Sequence, residues 1–239
     1  MPRNLYTINM LRRIPLEKVE NFRDVGGYYS SYGETAFGVV YRSGSLSDAT
    51  ENDIQKLADL KIKTIIDLRN DSDKEKRPDK TIGDKRFINI PLSVNGNGRV
   101  PLNRWDMINS YIEMLEEPKQ AKEVFNTLLT CKKPCVLHCS AGKDRTGCFI
   151  AILLLANGVP FHDVNADYML SFAYLTRLQR QTKKKYPDFP KAVMQPNPLF
   201  LSKVMKKFNK KWGKVDDYFR FLGFNDKEII ALSQLLKSR

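Results

Sequence analysis

Three patterns of apolar and polar positions recur along this chain, and each predicts a different element. Ile62-Lys63-Thr64-Ile65-Ile66-Asp67 alternates, then turns apolar before reaching charge, as a central strand ending at Asp67 would. Phe87-Ile88-Asn89-Ile90 reads as a strand closed by Pro91, and Pro134-Cys135-Val136-Leu137 as a buried strand running into His138 and Cys139. Helical periodicity follows Thr50-Glu51-Asn52-Asp53, with Ile54, Leu57 and Leu60 on one stripe, and returns over 104–116 and 119–130. Cys148 to Ala156 is apolar on every side and stops at Asn157-Gly158-Val159-Pro160, which predicts a fully buried helix.

Upstream, glycines and serines punctuate short β-prone runs from Asn21 to Gly44, a hairpin pattern, while residues 1–20 show no period and are expected to lie across the surface or a sheet edge. The polar stretch 70–80 reads as loop. Beyond Pro160 the pattern is helical over 164–184, 199–209, 214–222 and 226–237. Strands alternating with helices predict an α/β fold, with a central, mostly parallel sheet flanked by helices and a helical C-terminal region. We expect one domain over 1–239, with an α/β core at 21–160 and a helical region at 161–239.

Composition narrows the setting without naming a function. With 239 residues and 42% hydrophobic content the chain can bury a substantial core. Met1 to Thr7 carries no apolar signal region, and the run at 148–156 is far short of the ~18 residues a membrane span needs. The four cysteines, at 131, 135, 139 and 148, crowd one region, which suits reduced thiols in a cytoplasm better than a disulfide framework. A formal charge of +13 favours anionic partners, from phosphoproteins and inositol lipids to nucleic acid and acidic membrane surfaces. The basic positions from Arg177 to Lys214 suit docking of an acidic substrate or peripheral contact with an acidic membrane, but a solvated helical face is the simpler explanation.

The chemistry concentrates in His138-Cys139-Ser140-Ala141-Gly142-Lys143-Asp144-Arg145-Thr146-Gly147, between a strand and a buried helix. The small residues Ser140, Ala141 and Gly142 let backbone N–H groups curl around an anion, and the helix beginning near Arg145 adds the positive end of its dipole. Arg145 offers a bidentate fork to two phosphoryl oxygens, and Lys143 a further positive charge at the rim. The same donors favour thiolate at Cys139, so an anion-binding loop prepares its own nucleophile. The expected reaction is attack of that thiolate on a phosphate monoester, with no metal or other cofactor required. The Thr146 hydroxyl is placed to assist the sulfur as it leaves. Asp144, Asp67 and Asp106 are all candidates to protonate the leaving group, and helix capping is the competing reading of Asp144. Cys135, four residues before Cys139, suggests a trap for an oxidised Cys139, against plain core packing.

At these residues the chain resembles the Cys-x5-Arg protein tyrosine phosphatases, and most closely a bacterial branch of atypical dual- or triple-specificity phosphatases. The resemblance rests on Asn21-Phe22-Arg23-Asp24-Val25-Gly26-Gly27, Tyr41-Arg42-Ser43-Gly44, Ile66-Asp67-Leu68-Arg69 and the loop from His138 to Gly147. It implies a phosphatase-like fold, Cys139 as nucleophile, Arg145 as phosphate-binding arginine, Asp144 as general acid and Asp67 as an acid beside the site. It also implies a helical lid, for which 163–212 is the available material. The substrates implied are phosphotyrosine proteins, with phosphoserine and phosphothreonine in reach and phosphoinositides or inositol phosphates as the alternative. Ser140 stands where some lipid phosphatases carry lysine, while Lys143 keeps the lipid reading open. A basic nucleic-acid binder with a vestigial loop is the rival from another class; no nucleic-acid partner is expected.

Overall fold

The structure is a computed structural model and describes residues 12–93, 103–188, 190 and 197–238. In chain order the elements begin with β1 (Arg23–Asp24), β2 (Tyr29–Ser30), β3 (Gly33–Glu34), β4 (Val40–Ser43), α1 (Glu51–Asp59), β5 (Thr64–Asp67), α2 (Asp71–Lys76) and β6 (Arg86–Asn89). They continue with α3 (Arg104–Glu116), α4 (Pro118–Thr130), β7 (Cys135–His138), α5 (Arg145–Ala156), α6 (Phe161–Tyr174), α7 (Thr176–Lys185), α8 (Phe200–Trp212), α9 (Val215–Phe221) and α10 (Asp226–Ser233).

Among the described residues a five-stranded sheet runs in the order β1-β4-β7-β5-β6. Its first pair is antiparallel and the other three are parallel. The hairpin expected over 21–44 is present as β1 against β4, with β2 and β3 forming a smaller hairpin inside it. The described residues before β1 reach the sheet edge, where Arg13 bridges Arg23; positions 1–11 lie outside the described residues.

Alternation along the central strands divides the core into two layers. Ile65, Val136 and Tyr41 face a cluster with Leu57 of α1, whereas Ile66, Leu137 and Val40 face the larger cluster built from α3, α4, α5 and the C-terminal helices. That larger cluster joins Val25 to Phe208 and Leu236. Helix α5 is buried on nearly every side, as its uninterrupted apolar pattern requires. Because β4, β7 and β5 are in parallel register, Ser43, His138 and Asp67 end level at one edge of the sheet. This edge is where the loop begins.

Two expectations need correction. The stretch 70–80 contains α2, which buries no residue and so leaves no apolar stripe; the Asn70 side chain caps it by accepting from Asp73 N at 2.9 Å. The pattern over 164–184 is two helices, α6 and α7, separated at Leu175. Glu20 causes the second start, because its two carboxylate oxygens accept from Arg177 N (2.8 Å) and Leu178 N (2.9 Å), donors that a continuous helix would have turned inward. Among the described residues no helix is long and apolar enough to cross a membrane.

Candidate active site

The loop from Cys139 to Asp144 is held by its carbonyl groups. Ala141 O accepts from Asn21 Nδ2 at 2.9 Å, Gly142 O from Arg42 Nη2 at 2.7 Å and Ser140 O from Ser45 N at 3.1 Å. Pulling the carbonyls outward turns the amides the other way, and among the described residues the N–H groups of Ser140, Ala141 and Gly142 have no acceptor. Gly142 has φ +65°, and a Cβ there would come within 2.2 Å of Ser43 O. Only glycine fits this close passage beside β4.

The anchor at Gly142 belongs to a buried ion network. Arg42 bonds Asp167 of α6, Arg23 Nε reaches the same carboxylate at 2.9 Å, and Tyr28 Oη donates to it at 3.1 Å. Burial pushes the Asp167 carboxyl up, but Arg23 and Arg42 outweigh it and hold the group well below the usual carboxylate range. Burial lowers the Arg42 guanidinium and the neighbouring Arg23 lowers it further, with Asp167 opposing both.

Arg145, the first residue of α5, points back into the loop. Its Nη2 donates to Ser140 Oγ at 2.9 Å, while Nη1 lies 2.8 Å from Asp73 Oδ2 and 3.2 Å from Leu92 O. Burial opposes the charge, and Cys139 and Asp73 more than compensate, so its pKa is raised. Cys139 is buried at the end of β7. Lys143 is covered, not out at the rim: its Nζ lies 3.4 Å from Asp144 Oδ1 and 5.0 Å above the Phe172 ring. The Thr146 hydroxyl is fully buried and has no hydrogen-bond partner among the described residues.

The candidate acids occupy different surroundings. Asp144 sits at the N-cap position of α5, yet its side chain makes no capping bond. Its Oδ1 accepts from Tyr111 Oη, which is 3.0 Å from Tyr168 Oη. Burial, reinforced by Asp144, raises both phenols well above their ordinary pKa, so they stay protonated and able to donate. Asp67 instead is clasped by Arg69, with bonds of 2.9 Å from the backbone N and 2.8 Å from Nη2. Burial raises the Asp67 pKa, and the Arg69 hydrogen bonds and His138 outweigh that rise, leaving it lowered and the group ionised at neutral pH. Asp106 lies in the first turn of α3, where its N–H donates to Asn103 Oδ1 at 3.0 Å.

His138 faces carboxylates, with Nε2 3.3 Å from Asp79 Oδ2 and 3.8 Å from Asp67 Oδ1. Burial lowers its pKa despite these two neighbours. Asp67, Asp79 and His138 bring possible metal-ligand atoms within 4.8 Å of one another. A cation is already supplied there by Arg69, whose Nη2 is 2.8 Å from Asp67 and 2.6 Å from Asp79, so the donor set suits the guanidinium and leaves no reason for a metal.

Sequence reasoning quoted Asn21 and Arg42 in the segments that carry the resemblance without giving them a role, and it missed Asp73, Tyr111, Asp167 and Tyr168 as parts of this site. A further legible signal was charge in apolar settings: Arg42 inside the run Val40-Tyr41-Arg42, and Asp167 beside Tyr168 on a helix.

A family model described as the tyrosine phosphatase family matches residues 14–238. A protein of Cupriavidus necator named as a tyrosine-protein phosphatase is 27% identical over 227 residues, which is 87% of this chain and 82% of that one. A tyrosine-protein phosphatase of Nostoc commune is 33% identical over 144 residues, 56% of this chain and 48% of that one. The triple specificity protein phosphatase PtpB of Mycobacterium tuberculosis is 28% identical over 127 residues, 46% of each chain. The chain therefore spans about half the length of the last two.

Proposed function

The chain belongs to the tyrosine phosphatase family and is a phosphatase, and from that premise we propose that it hydrolyses phosphotyrosine in proteins through a cysteinyl-phosphate intermediate. The observation that carries this reading is the loop after Cys139, whose carbonyls are tied outward by Asn21 and Arg42 while the N–H groups of Ser140, Ala141 and Gly142 stay unpaired among the described residues and Arg145 turns back onto Ser140. The Cys139 thiolate attacks phosphorus in line with the ester oxygen, and the loop amides with Arg145 stabilise charge on the equatorial oxygens. Asp144 gives its proton to the leaving phenoxide, with Tyr111 fixing the carboxyl through Oδ1. The same group, now a carboxylate, takes a proton from the water that hydrolyses the intermediate. Asp67 acts through Arg69 as a positioning residue.

We read 1–239 as one domain, since a single apolar cluster spans both the core and the C-terminal helices. Of the 163–212 region, α6 and α8 bury Asp167, Tyr168, Val204 and Phe208, so α7, which buries no residue and is tied at its start to Glu20, is the segment left for the lid that the resemblance implies. The test of substrate class is a rate panel over phosphotyrosine, phosphoserine and phosphothreonine peptides and phosphoinositides. Highest kcat/KM on phosphotyrosine is expected; a higher value on inositol lipids would assign the site to them.

For the acid, Asp144→Asn should lower kcat on phosphotyrosine by about 10²- to 10⁴-fold. The loss should shrink on aryl phosphates whose phenol leaves without protonation. Equal losses across leaving groups would move the role to another residue.

A further inference from the structure

A second reactive thiol lies at the far end of β7. Cys131 caps α4, donating its N–H to Thr127 O at 2.9 Å. Lys133 folds back beneath it, with Nζ 3.1 Å from Cys131 Sγ and 3.3 Å from Cys131 O, and a further bond to Leu128 O. The ammonium is thus fixed by carbonyls that the helix end leaves unpaired, and cannot swing away from the sulfur without exposing them. Cys135, the first residue of β7, follows this turn, and its buried thiol and the Lys133 ammonium both act on the Cys131 sulfur. Cys135 lowers the Cys131 pKa against the opposing effect of burial, and Lys133 lowers it further, whereas Cys135 is pushed up. Cys131 keeps 9% exposure while Cys135 has none, so an oxidant meets Cys131 first.

The register excludes Cys139 from this chemistry. Cys135 pairs with Val40 and Thr64 at the start of their strands, whereas His138, the residue before Cys139, pairs with Ser43 and Asp67 at their ends. Four residues of strand separate the two Cα atoms by about 13 Å, beyond the ~7 Å Cα limit for a disulfide. The trap for an oxidised Cys139 that the spacing suggested is therefore out of reach.

We propose that Cys131 and Cys135 form a peroxide-reactive dithiol, with Cys131 as the attacking thiolate, Lys133 as its fixed counter-ion and Cys135 as the resolving thiol. The Cys131 thiolate attacks one oxygen of hydrogen peroxide, the O–O bond breaks, and Cys131 sulfenic acid and hydroxide result. The Cys135 sulfur then attacks the sulfenic sulfur, the S–O bond breaks, and the departing hydroxide leaves as water with the proton from Cys135. Two thiols lose two electrons and peroxide is reduced to water. This proposal is independent of the phosphatase reading.

The full chain is treated with hydrogen peroxide, alkylated under denaturing conditions and digested with trypsin, which cuts after Lys132 between the two cysteines. A disulfide joining the Cys131 and Cys135 peptides is expected, with Cys139→Ser used to show that the third thiol on that peptide is not the partner. In Cys135→Ser, dimedone should label Cys131, and Lys133→Met should slow the wild-type reaction by about tenfold. Free Cys131 and Cys135 after peroxide, or a link that vanishes in Cys139→Ser, would overturn the proposal.

Discussion

Cys139→Ser is expected to lower kcat on an aryl phosphate by at least about 10⁴-fold while inorganic phosphate still binds. A hydroxyl in this position keeps the shape of the loop but is not ionised at neutral pH, so the attacking anion is lost. In the proposed mechanism phosphate is held by other groups. The carbonyl anchors from Asn21, Arg42 and Ser45 lie outside the substituted side chain, and Arg145 is positioned by Asp73, Ser140 and Leu92. Calorimetric titration with phosphate should therefore give an affinity within a few-fold of the unmodified chain. Turnover within tenfold of the original would remove Cys139 from the mechanism, and lost phosphate binding would show that the thiol, not the amide ring, holds the anion.

The second large effect is on stability. Asp167→Asn removes the carboxylate shared by Arg23 and Arg42, all three of which are essentially inaccessible to solvent. Two guanidinium groups would then face each other in the interior without a counter-charge, which should cost about 3–5 kcal/mol. For a domain of this size that corresponds to a drop in Tm of roughly 10 °C. Catalysis should suffer as well, because Arg42 is the group that draws Gly142 O outward. The pH dependence has a defined sign. The folded pKa of Asp167 is depressed, so its contribution is complete above the ordinary value of about 3.9 and is lost as pH falls toward the folded value. Thermal unfolding from pH 7 down to pH 3 should therefore show a steeper acid decline for the unmodified chain than for Asp167→Asn. A Tm within 2 °C or so of the original would mean that water or rearrangement compensates the two arginines.

Much of this architecture is visible in the order of residues because it depends on local periodicity. The strands ending at Asp67 and His138 and the buried helix after the loop each follow from spacing that a dozen residues contain, and the upstream hairpin from the turn residues between Asn21 and Gly44. Helix α2 was hidden because it buries nothing, and a helix without an apolar face has no periodic signature. The break at Leu175 was hidden for a different reason: the group that starts α7 is Glu20, more than 150 residues away, as the separation of 157 between Glu20 and Arg177 records.

The candidate site divides in the same way. By itself the sequence determined that a thiol, a guanidinium and a run of small residues share one strand-to-helix turn, because all of them lie within ten consecutive positions. It offered three acids in the order Asp144, Asp67, Asp106, from their places along the chain, and did not show what surrounds each. Tertiary structure decided that Asp144 is held by Tyr111, 33 residues earlier, that Asp67 is already clasped by Arg69, and that Arg42 reaches both Asp167 and Gly142 across separations of 125 and 100 residues. The physical reason is that desolvation makes a buried charge or open carbonyl costly until it finds a partner, and which partner is within 3 Å is set by how the chain packs, not by the residues beside it.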